Sequence, residues 1–216
     1  SAVMADFEAM WERMVALQEG RPGVIGYEIL NEPSPGSMDE AQWGAEVLSP
    51  FYSKMAAKIQ QQQPEALVFF DSTGLSAVLS KTPLSRPDGK NLVFAPHSYD
   101  PSVFMGGPRF DASLVASRLE DWYSLGKEWD LPVMIGEFGG SADREAIGAF
   151  LEEHEKVLDR LQGHGTVWEV SDAEERWNGE DFSPIAPDGS ERKEMVDAIA
   201  RAYPKAVAEQ NSENTS

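Results

Sequence analysis

The sequence contains no cysteine and only three histidines among its 216 residues. The missing cysteine excludes disulfides, a thiolate nucleophile and a cysteine-ligated zinc site, and three scattered histidines supply a histidine-based metal site poorly. Positive charge is also scarce, because 18 lysines and arginines face 37 aspartates and glutamates, for a formal net charge of −19. Such a field repels phosphate backbones and anionic membrane surfaces, so we expect no nucleic-acid partner.

Long apolar runs are absent as well. No window approaches the roughly 18 consecutive apolar residues of a membrane-spanning helix. The first residues lack the basic stretch and apolar core of a signal peptide, although a mature or truncated chain would look the same. With 41% hydrophobic residues, the chain can form one core but is too short for two ordinary domains. We predict one domain over residues 1–204 and a disordered tail over residues 205–216, where no apolar pattern is present.

Short apolar runs alternate with stretches of helical periodicity, which is typical of βα units around a parallel sheet. The predicted strands are 24–32, 66–71, 91–99, 132–137 and 165–170. The predicted helices are 4–18, 43–62, 73–80, 112–128, 144–161 and 190–203. Five strands after an opening helix are too few for a closed eight-stranded barrel, which takes about 250 residues. We therefore predict an α/β fold that forms part of a (β/α)8, or TIM, barrel. An open doubly wound sheet is the competing architecture, but no glycine-rich phosphate loop follows the first strand.

Two glutamates stand where predicted strands end. Glu32 precedes Pro33, which cannot donate to a sheet and so ends the ladder. Glu137 follows the fourth apolar run and has glycines beside it. Parallel α/β folds place their active sites at the carboxyl ends of strands. A pair of carboxylates there is what glycoside hydrolysis requires: one protonates the departing oxygen, and the other attacks the sugar carbon or activates water. Either glutamate alone could equally be an ordinary polar strand end.

Aromatic and imidazole groups accompany these acids at other strand ends. Alternation along the third strand puts His97 and Tyr99 on the same side. A phenol can donate a hydrogen bond that keeps a carboxylate nucleophile ionised, and an imidazole can bind sugar hydroxyls. Trp168, on the last strand, offers a platform for the apolar face of a sugar ring.

The order Asn31-Glu32-Pro33, His97-x-Tyr99, Gly136-Glu137-Phe138-Gly139 and Trp168 resembles the cellulase-like family 5 glycoside hydrolases, of the retaining (β/α)8-barrel clan. The likeness covers about residues 20 to 180 and corresponds to the fourth through eighth strands of that barrel. Two runs, Gly-Tyr-Glu-Ile-Leu-Asn-Glu-Pro and Pro-His-Ser-Tyr-Asp-Pro, look most like the endoglycoceramidase-related branch.

The resemblance implies a retaining, endo-acting β-glycoside hydrolase that acts on a β-glucan or a glycolipid. It implies a general acid/base at Glu32 and a nucleophile at Glu137. Asn31 would bind the sugar 2-hydroxyl, Tyr99 would hydrogen-bond Glu137, His97 would line the site, and Trp168 would stack beneath the sugar. No metal and no cofactor are expected. The residues leave the compartment open, whereas the resemblance favours a secreted protein.

The chain also departs from the family. An arginine and a histidine that earlier strands supply to the family's pocket are absent here, and Glu28 is expected to point into the barrel interior without a cationic partner. We therefore expect a fragment or one chain of a split enzyme. Another chain or self-association would then cover the sheet edges. Two alternatives stay open: a non-catalytic carbohydrate-binding remnant, and an acidic α/β protein of different activity if the two glutamates lie far apart.

Overall fold

The computed structural model describes residues 2–106, 109–171 and 179–200, and the predicted tail lies outside them. Within this part, five short strands run parallel to their neighbours in the order of the sequence. The strands are β1 (Gly26–Glu28), β2 (Leu67–Phe70), β3 (Leu92–Phe94), β4 (Met134–Phe138) and β5 (His164–Val167). Two parallel bridges, Phe94 to Val133 and Ser98 to Phe138, connect β3 with β4.

Helices alternate with these strands along the chain. They are α1 (Ala2–Leu17), α2 (Glu40–Trp43), a π-helical turn (Gly44–Leu48), α3 (Ser49–Gln62), α4 (Gly74–Leu79), α5 (Pro101–Phe104), α6 (Ala112–Trp129), α7 (Ile147–Leu161) and α8 (Lys193–Ala200). Aspartate side chains accept backbone N–H groups at the starts of α2, α5 and α6, as expected of N-caps. The helices α6 and α7 end on residues in the left-handed conformation, Asp130 and Gln162. None of the described helices is long and apolar enough to cross a membrane.

The core lies between the strands and the outer helices. Tyr52 of α3, Phe70 of β2, Phe94 of β3 and Trp122 of α6 form a continuous series of ring contacts, with centroids 5.3 to 5.5 Å apart. All four side chains are at most 1% exposed. Aromatic pairs at such distances add to the hydrophobic stabilisation that burial supplies, so this series anchors the middle strands.

The sheet is open at both ends, as predicted. Among the described residues, β1 pairs with β2 alone and β5 pairs with β4 alone. Ile25, beside β1, is 71% exposed, and three of the four residues of β5 are exposed. The fold is therefore part of a (β/α)8 barrel. The predicted strands are longer than the observed ones, because their apolar ends continue past the last ladder hydrogen bonds. Residues 101–104 form a short helix that the sequence pattern did not predict. It forms because Asp100 caps it and Pro101 favours its first turn.

Candidate active site

The carboxyl ends of β1 and β4 bring Glu32 and Glu137 to the same place. His97, beyond β3, lies between them: its Nδ1 is 2.8 Å from Glu32 Oε1 and 3.3 Å from Glu137 Oε2. One carboxylate oxygen of each glutamate and a ring nitrogen of His97 all lie within 4.8 Å of one another. The structure therefore brings together residues that are 105 positions apart in the sequence, 137 minus 32.

The backbone of Glu32 has a left-handed conformation, with φ at 38°. Such a conformation costs a non-glycine residue on the order of 1–3 kcal/mol and persists where its surroundings hold it. The Glu32 N–H donates a hydrogen bond of 3.0 Å to Oδ2 of Asp71, which directly follows β2. Pro33 is buried and brings no N–H of its own. The strand thus ends in a turn that lifts the Glu32 side chain into the cleft.

Tyr99 donates a hydrogen bond of 2.9 Å from its hydroxyl to Glu137 Oε2. Burial raises the pKa of Glu137, and the charges of Glu32 and Glu180 raise it further, while His97 and the Tyr99 hydrogen bond oppose that rise. Burial and the neighbouring charge of Glu137 raise the pKa of Tyr99 well above its ordinary value. The phenol of Tyr99 therefore keeps its proton and donates a hydrogen bond to the partly buried carboxylate of Glu137.

His97 occupies a different position from the one expected. Its side chain is 1% exposed and lies beneath the two glutamates, so it does not face the sugar side of the cleft. Both ring nitrogens contact carboxylates, because Nε2 lies 3.4 Å from Asp71 Oδ2. Burial disfavours the charged ring, but the hydrogen bond to Glu32 and the charges of Asp71 and Glu137 outweigh it and raise the pKa of His97.

A cleft of about 220 Å³ opens above these groups. The described residues that line it include Asn31, Glu32, Gly74, Tyr99, Phe104, Glu137, Trp168, Glu180 and Phe182. Of the predicted residues, all but His97 reach this cleft. Trp168 donates from Nε1 to Glu180 Oε2 at 3.2 Å, so the indole has a fixed partner at the rim.

Two glycines allow this close packing. A Cβ atom at Gly136 would lie 2.9 Å from the Ala95 carbonyl oxygen and 3.1 Å from His97 Cδ2. At Gly139 it would lie 1.9 Å from the Trp168 carbonyl oxygen. Carbon atoms do not approach so closely without displacement, and the absence of a side chain lets the imidazole and the last strand pack against β4.

Glu28 lies below the site, as expected from the alternation along β1. Burial raises its pKa, the charge of His97 opposes that shift, and the charge of Glu137 adds to it. Neighbouring groups thus shield Glu28 in part, yet the residue is still exposed to solvent, because the barrel interior is open on the β1 side.

Several residues of the site were not predicted from the sequence, among them Asp71, Glu180 and Phe182. Asp71 follows the apolar run of β2, which is the same signal that identified the two glutamates. Glu180 and Phe182 follow a segment, residues 172–178, that lies outside the described residues, and no periodic pattern singles them out. Glu32, His97 and Glu137 have side-chain atoms that could bind a cation. These atoms already take part in hydrogen bonds within the protein, and a site without metal stays our prediction.

The comparisons with known proteins identify a family and a fold. The family model described as cellulase (glycosyl hydrolase family 5) matches residues 1–174. An endoglucanase of Paenibacillus polymyxa is 24% identical over 152 residues, which cover 60% of this chain and 37% of that protein.

Solved structures share the fold at low sequence identity. Endo-glycoceramidase II from Rhodococcus sp., in complex with a five-membered iminocyclitol, superimposes with a TM-score of 0.74 at 18% identity, over 91% of this chain and 45% of that one. The cellulose synthase subunit Z of Clostridioides difficile gives a TM-score of 0.72 at 13% identity, over 91% of this chain and 67% of that one. This chain thus spans less than half the length of the endoglucanase and of the endo-glycoceramidase. The match of the family model over most of the chain shows that the chain belongs to glycosyl hydrolase family 5, the cellulase family.

Proposed function

We propose that the protein hydrolyses β-glycosidic bonds with retention of configuration, with Glu137 as the nucleophile and Glu32 as the general acid/base. The observation that carries this proposal is the short distance between the two carboxylates: one oxygen of Glu32 and one oxygen of Glu137 lie within 4.8 Å of each other. Retaining glycosidases hold their carboxyl groups about 5–5.5 Å apart, whereas inverting enzymes separate them by about 6.5–9.5 Å to admit a water molecule. The short spacing favours direct attack by a carboxylate.

The contacts of Glu137 suit a nucleophile. Tyr99 and His97 both approach Oε2, which leaves Oε1 for the anomeric carbon as far as the described residues go. In the first step, Oε1 bonds to that carbon while the bond from the carbon to the departing oxygen breaks. A proton from Glu32 moves to the departing oxygen. In the second step, Glu32 takes a proton from water, and the water oxygen displaces Glu137.

The rim of the cleft supports a carbohydrate substrate. In this proposal, Trp168 stacks beneath the sugar at the cleavage point, and Asn31 hydrogen-bonds its 2-hydroxyl. The relatives include an endoglucanase and an endo-glycoceramidase that forms a ganglioside GM3 complex. We therefore infer an endo-acting enzyme on a β-linked glucan or a glycolipid, and a comparison of hydrolysis rates on these two substrates distinguishes them.

We also propose that further polypeptide completes the barrel beside β1 and β5. An apolar groove of about 640 Å³ borders the open edge of β5, with Leu158 of α7, Val167 of β5 and Ile199 of α8 in its wall. The groove, the unpaired edges and the open interior at Glu28 fit added strands and helices. These can come from the same protein or from a second chain.

The test is intact-mass analysis of the full-length protein after reaction with an activated 2-deoxy-2-fluoro-β-glycoside. We expect one covalent sugar per chain, and peptide mapping should locate it on Glu137. Glu137→Gln should abolish both labelling and turnover with the fold intact. The exposed Glu65→Gln provides a matched control and should react normally. A label on another residue, or ordinary activity of Glu137→Gln, would refute the assignment. Saturable sugar binding without labelling or hydrolysis would instead indicate a carbohydrate-binding remnant.

The acid role has a separate test. Glu32→Gln should slow hydrolysis of substrates with poor leaving groups by about 10²–10⁴-fold, since they need protonation of the departing oxygen. Formation of the glycosyl-enzyme from activated aryl glycosides should suffer far less. Equal losses on both kinds of substrate would contradict an acid role for Glu32.

A further inference from the structure

Asp71 connects the acid/base candidate to the histidine beneath it. The residue is 1% exposed and stands at the carboxyl end of β2. Its Oδ2 accepts the Glu32 N–H at 3.0 Å and lies 3.4 Å from His97 Nε2, while Oδ1 accepts the Ser72 N–H at 2.6 Å. One buried carboxylate therefore meets both the backbone of Glu32 and the ring that contacts its side chain.

Both contacts determine where the Glu32 carboxyl group lies. Its left-handed backbone, with φ at 38°, is a conformation that residues other than glycine rarely adopt. The backbone N–H of Glu32 points into the protein, where Oδ2 of Asp71 accepts it. From the other side, His97 Nδ1 contacts Glu32 Oε1 at 2.8 Å, and the orientation of the ring depends on what its Nε2 meets.

We propose that Asp71 is a positioning residue for the general acid/base: it holds the Glu32 backbone through the amide and the Glu32 carboxyl group through His97. This inference rests on the proposed function, because it presupposes that Glu32 transfers the proton. Asp71 does not line the cleft, so it acts through its two neighbours and not on the sugar.

The chemistry of the contacts requires a carboxylate at this position. Two N–H groups donate to different oxygens of Asp71, and His97 Nε2 lies 3.4 Å from Oδ2 as a charged contact when it carries its proton. An asparagine of the same shape has one acceptor oxygen, and its NH₂ group would face an N–H donor. Asp71→Asn therefore keeps the volume of the side chain but leaves at least one buried donor without an acceptor, which is costly.

The experiment measures Asp71→Asn in the full-length protein on two β-glycosides, one with a poor leaving group and one with an activated aryl leaving group. If Glu32 is displaced, kcat/KM on the poor leaving group should fall at least about tenfold more than on the activated one, since only the former needs the acid. Asp100→Asn is the matched control. Asp100 is also a buried acid beyond a strand, accepts a backbone N–H and pairs with Arg118. That control should change both rates by the same factor.

The outcomes separate the two hypotheses. If wild-type protein is not labelled at Glu137, the proposed function fails, and this inference fails with it. If wild-type protein is labelled and Asp71→Asn slows both substrates equally, as Asp100→Asn does, the proposed function stands and the positioning role is refuted.

A measurement on the wild-type protein covers the case in which Asp71→Asn does not fold. Nitrogen-15 NMR of the His97 ring reports whether Nε2 carries a proton at the pH of activity. The groups that face this ring are Asp71 from β2, Glu32 and Glu28 from β1, and Glu137 from β4. A protonated Nε2 supports the charged contact with Asp71 through which the ring is held, and a bare Nε2 overturns it.

Discussion

Removal of the Tyr99 hydroxyl tests how the protein keeps Glu137 ionised. In Tyr99→Phe the ring keeps its packing against Phe104 and Phe182, where the centroids lie 6.0 and 6.4 Å away. Only the 2.9 Å hydrogen bond to Glu137 Oε2 disappears. Because that bond favours the charged form of Glu137 and opposes the effect of burial, its loss should raise the pKa of Glu137.

The size of the shift follows from the strength of such a bond. A hydrogen bond to a charged group contributes about 1.5–3 kcal/mol, and one pKa unit corresponds to about 1.36 kcal/mol. Glu137 has a side chain that is 19% exposed, so solvent screens this bond only partly. Loss of the bond should therefore disfavour the ionised form of Glu137 by an energy of this size, and the pKa of Glu137 should rise. Since the nucleophile reacts as a carboxylate, activity at low pH should fall and the acidic limb of the profile should move to higher pH.

The assay is the pH dependence of kcat/KM, which reports the free enzyme, on an activated aryl β-glycoside that needs little help from an acid. Tyr123→Phe serves as the control, because the Tyr123 hydroxyl accepts a backbone N–H from His164 in a different part of the fold. The control should leave the acidic limb where it is in the wild-type protein. An unchanged acidic limb in Tyr99→Phe would refute the idea that the phenol stabilises the ionised nucleophile.

Two further predictions concern stability. Gly136→Ala should lower the free energy of unfolding by about 1–3 kcal/mol, since its Cβ would lie 2.9 Å from the Ala95 carbonyl oxygen; urea unfolding beside Gly23→Ala, which has open space, checks this. Burial lowers the pKa of His154 to about 4 from 6.5. Its contribution of about 3 kcal/mol should be complete above pH ~6.5 and vanish as the pH falls towards ~4. His154→Phe should therefore flatten the stability profile in this window, and an unchanged slope would contradict a neutral buried His154.

Sequence patterns predicted the residues at strand ends well, for a physical reason. Glu32 and Glu137 each follow an apolar run, and a polar residue at the end of a buried strand must emerge at the rim of a parallel sheet. The same reasoning placed Tyr99 and Trp168 at the cleft. It also predicted five parallel strands in chain order, because the alternation of strand and helix patterns leaves few other topologies.

Other features depend on contacts between distant parts of the chain. Local alternation predicts on which side His97 lies, but its depth is set by Asp71 and Glu32, 26 and 65 positions away. The left-handed backbone of Glu32 has no local signal either, because no glycine or asparagine stands at that position. It is held by the carboxylate of another strand. Tertiary hydrogen bonds of this kind cannot be inferred from periodicity.

The rigid layer between the strands and the outer helices explains how these unfavourable features persist. Phe70 directly precedes Asp71, and Phe138 directly follows Glu137; both are 1% exposed, and Phe94, between them in the barrel, is fully buried. Phe70 and Phe94 pack with their rings 5.3 Å apart, and Phe138 stacks on His154 at 4.9 Å. Close-packed aromatic groups resist displacement, so the backbone just beyond them has little freedom. A strained turn at Glu32 and a buried acid at Asp71 are therefore confined to the ends of these strands, where each has a polar partner, while the apolar packing between strands and helices supplies the stability that this arrangement requires.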